Sequence, residues 1–377
     1  MSTGSDIRMR KKPVRGISLY PGLGDCTAGD NEKILLQAAT RGCTGLFTSL
    51  QLPEADYEKS RQDLQRLLKL ARQHGMEVIA DYSPEGARGL GFTGNLAGDI
   101  ALAKSLGVTV LRLDGGLSPN EMKELLTETG SIRFCLNAST VTDSLFISEL
   151  KGTGDFSDSP IIAVHNYYPR RNTGLDISFF CEQNRRWQER GIPVGAFIPA
   201  ASHRSPVYAG LPTLEEHREL PSAEAVRQLT ALGIDAIFFG DPAVTEEELE
   251  TFEAACVDKT AFHLTMVPDA GVPKEFFAEA FAVRPDRARD AVRAADSRPR
   301  LKKLGLVVKP QPARPRPAGT LTIDNERAGR YQGELQITLR DLPADDTVNV
   351  IGHLPAEELL LLRAVQGVIE QLKFEIE

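Results

Sequence analysis

The sequence is short of several things that would have placed it quickly. No apolar stretch approaches the length needed to span a bilayer, and the basic residues of the opening MSTGSDIRMRKKPVRG are not followed by an apolar core. A secretory signal and a membrane anchor are therefore not expected, and the chain is placed in the cytoplasm with no membrane partner. Its five cysteines (Cys26, Cys43, Cys135, Cys181, Cys256) form no CxxC pair, which argues against a disulfide framework or a zinc ribbon and for a reducing compartment. Six histidines show no HxH or HExxH spacing, so a histidine-held metal is disfavoured, and no cofactor is expected. No GxGxxG follows the first apolar run, and GLGFTGN near Gly89 lacks the lysine and spacing of a phosphate-binding loop, so it reads as an ordinary loop. Nor is there an excess of positive charge. The formal net charge of -8 gives no general reason to bind nucleic acid or anionic membrane.

What the sequence does contain is an alternation. Eight short apolar runs end in small or polar residues, in order GISLYPG, LFTSLQ, EVIADYSP, VLRLDGG, FCLNAST, IAVHNYYP, VGAFIPA and IFFGDP. Each reads as a buried strand. Amphipathic stretches lie between most of them, as from Asp56 to the helix-stopping Gly75, and HGMEVIA, LGVTVLRL, RGIPVGAF and LGIDAIFF each place a glycine just before a strand. Helices that end in glycine and turn into parallel strands give this pattern. Eight such units in about 250 residues match a TIM (β/α)8 barrel. A doubly wound open sheet also alternates strand and helix and is the competing fold. The fold class is thus α/β, with residues 1–256 forming the barrel and 257–377 a smaller C-terminal β domain. In that second part, TLTIDN, ELQITL and VNVIG alternate like antiparallel strands, and proline-rich VKPQPARPRPAG reads as an extended loop.

In a β/α barrel the polar residues at the carboxyl ends of the strands face the catalytic mouth. Here those positions hold Tyr20, Gln51, Asp81, Asp114, Asn137, His165 with Asn166, and Asp241. A carboxylate directly after an apolar run is costly to bury without a partner or a function, so Asp81, Asp114 and Asp241 are the catalytic candidates. Any one of them, Asp241 first, can instead cap a helix or pair with a barrel arginine. Strand alternation sends His165 and Asn166 to opposite faces, and Asn166 is expected inside. Arg170, Arg171, His203 and Arg204 follow strands six and seven, where cations suit an anionic group such as phosphate, or simply face solvent. Tyr20, Tyr167 and Tyr168 can stack on a sugar or finish the core. Cys135, in mid-strand, reads as a small core residue.

At these residues the sequence resembles the 6-phospho-N-acetylmuramidase family, once labelled domain of unknown function 871 or outer surface protein. The likeness runs along nearly the whole chain. It rests on GISLYPG, HNYYPRRNTGLD from His165, HRSPVYAGLPTLEEHR from His203, and GTLTIDNERAGRYQGELQI from Gly319 followed by DLPADDTVNVIG. The resemblance implies a cyclophilin-like C-terminal domain and hydrolysis of N-acetylmuramic acid 6-phosphate from a disaccharide during peptidoglycan recycling. It also gives weight to the polar tail residues Asp324, Asn325, Arg327, Arg330, Tyr331 and Glu334. Arg330 is then a candidate for a substrate phosphate or lactyl carboxylate, and Glu334 a fourth carboxylate; a salt bridge at a domain interface is an equal alternative for both.

The leading expectation is a glycoside hydrolase whose Asp81 and Asp114 form the acid/base and nucleophile or stabilising pair, with roles unassigned. Two carboxyl groups supply what an oxocarbenium-like transition state needs, about 5 Å apart for retention of configuration and roughly 6.5 to 9.5 Å for inversion. A metal-dependent isomerase or aldolase using the aspartates and His165 is the second reading. A non-enzymatic binder of sugar phosphates is the third, because fold does not dictate function. The expected partner is a small phosphorylated amino-sugar disaccharide, with self-association into a homo-oligomer left open.

Overall fold

The computed structural model describes residues 12–83, 85–113, 132–256, 261–269, 274–367 and 369–376. They fall into two compact units, one ending at Cys256 and the other beginning at Ala261.

The first unit is a closed barrel of eight parallel strands, β1 Val14–Ser18, β2 Gly45–Ser49, β3 Glu77–Tyr82, β4 Val110–Leu113, β5 Arg133–Asn137, β6 Ile161–Val164, β7 Val194–Ile198 and β8 Ala236–Phe239. Pairing of β1 with β8 closes the circle, which rules out the open sheet. All eight apolar runs of the sequence become strands, because parallel strands covered on both faces have no solvent side for polar residues.

Helices return the chain between strands. Those at Ala28–Thr40 and Glu246–Ala255 begin with capping boxes, in which Thr27 with Asp30 and Thr245 with Glu248 satisfy each other's backbone donors. Gly107 ends the helix Leu96–Leu106 with φ 102, a left-handed position that glycine occupies without the steric cost of a Cβ. No helix among the described residues is long and apolar enough to cross a membrane.

Alternate residues of each strand point into the barrel. Phe47, Ile79, Val110, Cys135, Ile162, Phe197 and Phe238 interlock there as one buried cluster. Phe238 lies so close to β1 and β2 that a Cβ on Gly16 would stand 2.2 Å from its ring and one on Gly45 2.7 Å. The two glycines therefore make room for one aromatic side chain, whose burial stabilises the barrel by about 1.5–3 kcal/mol. With this interior filled, the strand ends at the top are left to form a site.

In the second unit, seven strands of the described residues form one mixed sheet in the order β10-β15-β9-β14-β12-β13-β11. They are β9 Phe262–Pro268, β10 Phe281–Ala282, β11 Ala291–Arg293, β12 Thr320–Asp324, β13 Leu335–Thr338, β14 Val348–His353 and β15 Gln371–Ile376. The three strands read in the sequence are β12, β13 and β14. The edge strands β10 and β11 are too short to show a period, whereas β9 and β15 alternate buried and more exposed residues along their length. The proline-rich stretch before β12 has no regular structure beyond an isolated bridge at Arg316.

Candidate active site

The register of the barrel decides what meets at its mouth. Asp81 on β3 is the direct partner of Arg112 on β4, and on its other side of Ser49 on β2. Both Asp81 and Arg112 continue the inward series, Ile79 to Asp81 and Val110 to Arg112. Asp81 Oδ1 accepts a hydrogen bond from Arg112 Nη1 at 2.5 Å, and the arginine side chain is 2% exposed. Arg112 Nη2 also donates to Asn166 Oδ1 at 2.7 Å and to the Val164 carbonyl at 3.2 Å. Asn137 Nδ2 donates to the same Asn166 oxygen at 2.9 Å. A buried cation is tolerable here because a carboxylate and further oxygens satisfy it.

This network forms one wall of a cavity of about 640 Å³ at the strand ends. Phe47, Tyr167 and Phe197 are the aromatic part of its lining, packed edge to face with centroids 4.9 to 6.2 Å apart. Gln51, Leu52 and Pro53 of the β2 loop and Ser83 and Glu85 of the β3 loop complete the rim. Glu85 is exposed. The β3 loop is held by Asp99, whose carboxylate accepts from the Tyr82 hydroxyl at 2.5 Å, Thr93 N at 2.9 Å and Gly94 N at 2.8 Å. A cavity with aromatic side chains and a polar wall suits a sugar, whose C–H faces pack on rings while its hydroxyls hydrogen-bond.

His165 and Asn166 do point opposite ways. Asn166 joins the Arg112 network, whereas the His165 ring is fully buried between Ser139 Oγ (3.0 Å from Nδ1) and Asn184 Oδ1 (2.8 Å from Nε2). Burial lowers its pKa to about 4, leaving it neutral. Asp241 is wholly buried, and its two oxygens accept the backbone N–H groups of Ala200, Arg204 and Leu211. Desolvation raises its pKa despite these bonds. Its carboxylate ties the β7 loop to the end of β8. Asp114 lies outside the described residues.

Tyr20 is buried, with its hydroxyl donating to the Gly240 carbonyl at 2.9 Å. Arg204 lies over the rings of Tyr20 and Tyr167. The β6 and β7 loops are stapled by Arg218, which donates to the carbonyls of Tyr168, Arg170, Ala209 and Gly210. Glu215 binds Arg218 and accepts from Asn172 N and Gly174 N, and these bonds lower its pKa to about 2. The Arg170 and Arg171 side chains are exposed, Arg171 pairing with Glu219. Among the described residues no group of three or more histidine, cysteine, aspartate and glutamate side chains is arranged to hold a metal ion.

In the second unit Glu334 is buried, 3.6 Å from Arg293 and 3.9 Å from Arg298. Arg330 is exposed and covers the Tyr331 ring, donating to its hydroxyl at 2.8 Å.

Sequence reading missed Arg112 and Glu85. A signal for Arg112 existed, since an arginine in step with Val110 inside an apolar strand must find a buried partner. Glu85 carried none, because a loop residue has no periodicity.

Two sequence profiles match the chain. The 6-phospho-N-acetylmuramidase N-terminal profile covers residues 15–254, and its C-terminal counterpart covers residues 262–375. The chain belongs to the 6-phospho-N-acetylmuramidase family. Among solved structures, an uncharacterized B. cereus protein is 27% identical, with 97% of this chain and 100% of that one covered at a TM-score of 0.75. A conserved Enterococcus faecalis protein of unknown function is 32% identical over 97% and 96% of the two chains, with a TM-score of 0.59. No curated protein matches the chain. Membership of the family supports a glycosidase-type enzyme.

Proposed function

We propose that this chain hydrolyses the glycosidic bond between 6-phospho-N-acetylmuramic acid and the sugar joined to it, in the cytoplasmic recycling of cell-wall disaccharides. The observation that carries this reading is the Asp81–Arg112 ion pair set into the wall of a sugar-sized cavity with an aromatic lining. Asp81 is the fixed negative charge, held by Arg112 against the anomeric centre as positive character develops there. A second carboxylate donates the proton to the leaving oxygen. Asp114, which follows β4, and Glu85, which lines the same cavity, are the two candidates for it. Asn137 and Asn166 orient Arg112 and offer hydrogen bonds to substrate hydroxyls. Asp241 and His165 support the loop and the strand behind the site.

The test is hydrolysis of a 6-phospho-N-acetylmuramic acid glycoside, with the unphosphorylated sugar and added chelator as controls. Cleavage of the phosphorylated compound alone, undiminished by chelator, is the expected result. Loss of activity with chelator would favour the metal-dependent reading, and binding without cleavage the sugar-phosphate binder. The proton donor is the residue of Asp114→Asn and Glu85→Gln whose loss lowers kcat about 10²–10⁴-fold on a poor leaving group and far less on an activated phenol. If neither substitution affects turnover, this assignment of the acid is wrong.

A further inference from the structure

Among the described residues three arginines are buried around the barrel mouth, and two of them have carboxylate partners. Arg112 has Asp81 and Arg218 has Glu215. Arg204, 7% exposed, has none within ion-pair distance among the described residues. Its side chain makes a single hydrogen bond, from Nη2 to the Tyr167 hydroxyl at 3.4 Å, and its Nε is buried without a partner. Nη1 makes no hydrogen bond either, but it is not among the enclosed atoms and keeps contact with solvent. The guanidinium carbon lies 4.7 Å from the Tyr20 ring centroid and 5.6 Å from that of Tyr167.

Withdrawing a guanidinium from water without a counter-charge is unfavourable, and two aromatic faces offset only part of that cost. Glu54 and Asp241 are the carboxylates that act on Arg204 through space. Glu54 is exposed, and Asp241 is committed to three backbone N–H groups, one of them that of Arg204 itself. The backbone on the other side is fixed as well, since Asp25 accepts from both Ser205 N and Ser205 Oγ. The cation is thus held in place from both sides, while its donor edge is left unsatisfied. Tyr167, its hydrogen-bond partner, lines the cavity.

We propose that Arg204 is an oxyanion anchor that binds the phosphate monoester of the substrate, with Tyr20 and Tyr167 setting the plane of its guanidinium. The ligand class rests on the phosphoglycosidase reading, but the unsatisfied guanidinium does not. A guanidinium fork matches the geometry of phosphate and carboxylate oxygens alike, so the choice between them has its own experimental arm. Of the four cations expected near the β6 and β7 loops, the structure singles out this one. Arg170 is exposed, Arg171 pairs with Glu219, and His203 faces the Tyr208 carbonyl at 3.3 Å.

The experiment follows the arginine Nε–H resonances of the nitrogen-15-labelled full chain during titration with inorganic phosphate, and in parallel with acetate. The resonance missing from Arg204→Lys identifies Arg204. It is expected to shift saturably with phosphate and at least about fivefold less with acetate at equal concentration. No saturable shift overturns the anchor, and an equal response to acetate overturns its preference for phosphate. In turnover, Arg204→Gln is expected to raise KM for the phosphorylated glycoside about tenfold or more, as loss of a charge-assisted hydrogen bond would, with kcat within about threefold. An unchanged KM overturns the anchor. If the wild-type resonance responds to phosphate but no glycoside is cleaved, the anchor stands and the glycosidase reading fails. Cleavage with an inert Arg204 resonance gives the reverse. The wild-type titration decides even if Arg204→Gln does not fold.

Discussion

Asp81 and Arg112 are register partners on adjacent barrel strands, with their charged groups 2.5 Å apart and both side chains almost fully enclosed. Each supplies counter-charge to the other in place of the water that burial removed.

Arg112→Met is therefore expected to destabilise the barrel by about 3–5 kcal/mol, the cost of removing one partner of a buried ion pair. The double variant Asp81→Asn with Arg112→Met should recover a large part of that loss in urea unfolding, and Asp81→Asn, Arg112→Met and the double variant should all lack glycosidase activity. Additive destabilisation in the double-mutant cycle would show that the two charges do not couple.

Asp241 separates structural from chemical aspartates. Its two oxygens hold three backbone N–H groups of the β7 loop, so Asp241→Ala should cost about 3 kcal/mol of stability through orphaned donors. It should also raise KM, because Arg204 rides on that loop, while kcat stays at least about 100-fold above that of Asp81→Asn. A kcat as low as that of Asp81→Asn would place Asp241 in the chemistry after all.

Two histidines should make the barrel acid-sensitive. Burial lowers the pKa of His165 and His217 to about 4 each, below the usual histidine value near 6.5. Between those values the unfolded chain binds protons that the folded chain refuses. Stability contributed by the neutral rings is complete above pH 6.5 and falls as pH drops toward 4. Thermal unfolding at pH 7 and pH 4.5 is expected to show a loss that His217→Gln reduces; an unchanged pH dependence in that variant would remove His217 from the explanation.

Asp324 in the second unit works in the opposite direction. Burial, with Glu334 and Asp345 nearby, raises its pKa to about 7, so the folded state favours the protonated form. That contribution is complete below pH 4 and is lost as pH rises through 7. Asp324→Asn is expected to remove this slope and to be more stable than the wild type at pH 8 by about 2 kcal/mol, allowing for partial solvent contact. Urea unfolding at pH 5 and pH 8 checks it, and a variant less stable at pH 8 would refute it.

The sequence was most informative where the physics is local. A strand buried on both faces has to be an apolar run, and a helix that turns into such a strand needs a glycine or a cap, so eight runs with glycine or polar stops spelled out a barrel. Strand parity also put Asn166 on the inner face and His165 on the outer. The edge strands of the second sheet left little trace, since short strands such as Phe281–Ala282 are too brief to show a period.

The site was legible only as a set of strand ends. Which of them met depended on register across strands far apart in sequence: Asp81 with Arg112, 31 residues on, and Arg112 with Asn166, 54 residues on. The same holds for Asp241, which looks like a catalytic carboxylate in IFFGDP until a loop from another strand closes over it. Arg204 looks like a solvent-facing loop arginine until two tyrosines from the segments that follow β1 and β6 pack against it. Secondary structure could be read from one segment at a time because it depends on neighbours along the chain. The charge state and role of a polar side chain depend on neighbours in space, and those exist only once the barrel has closed.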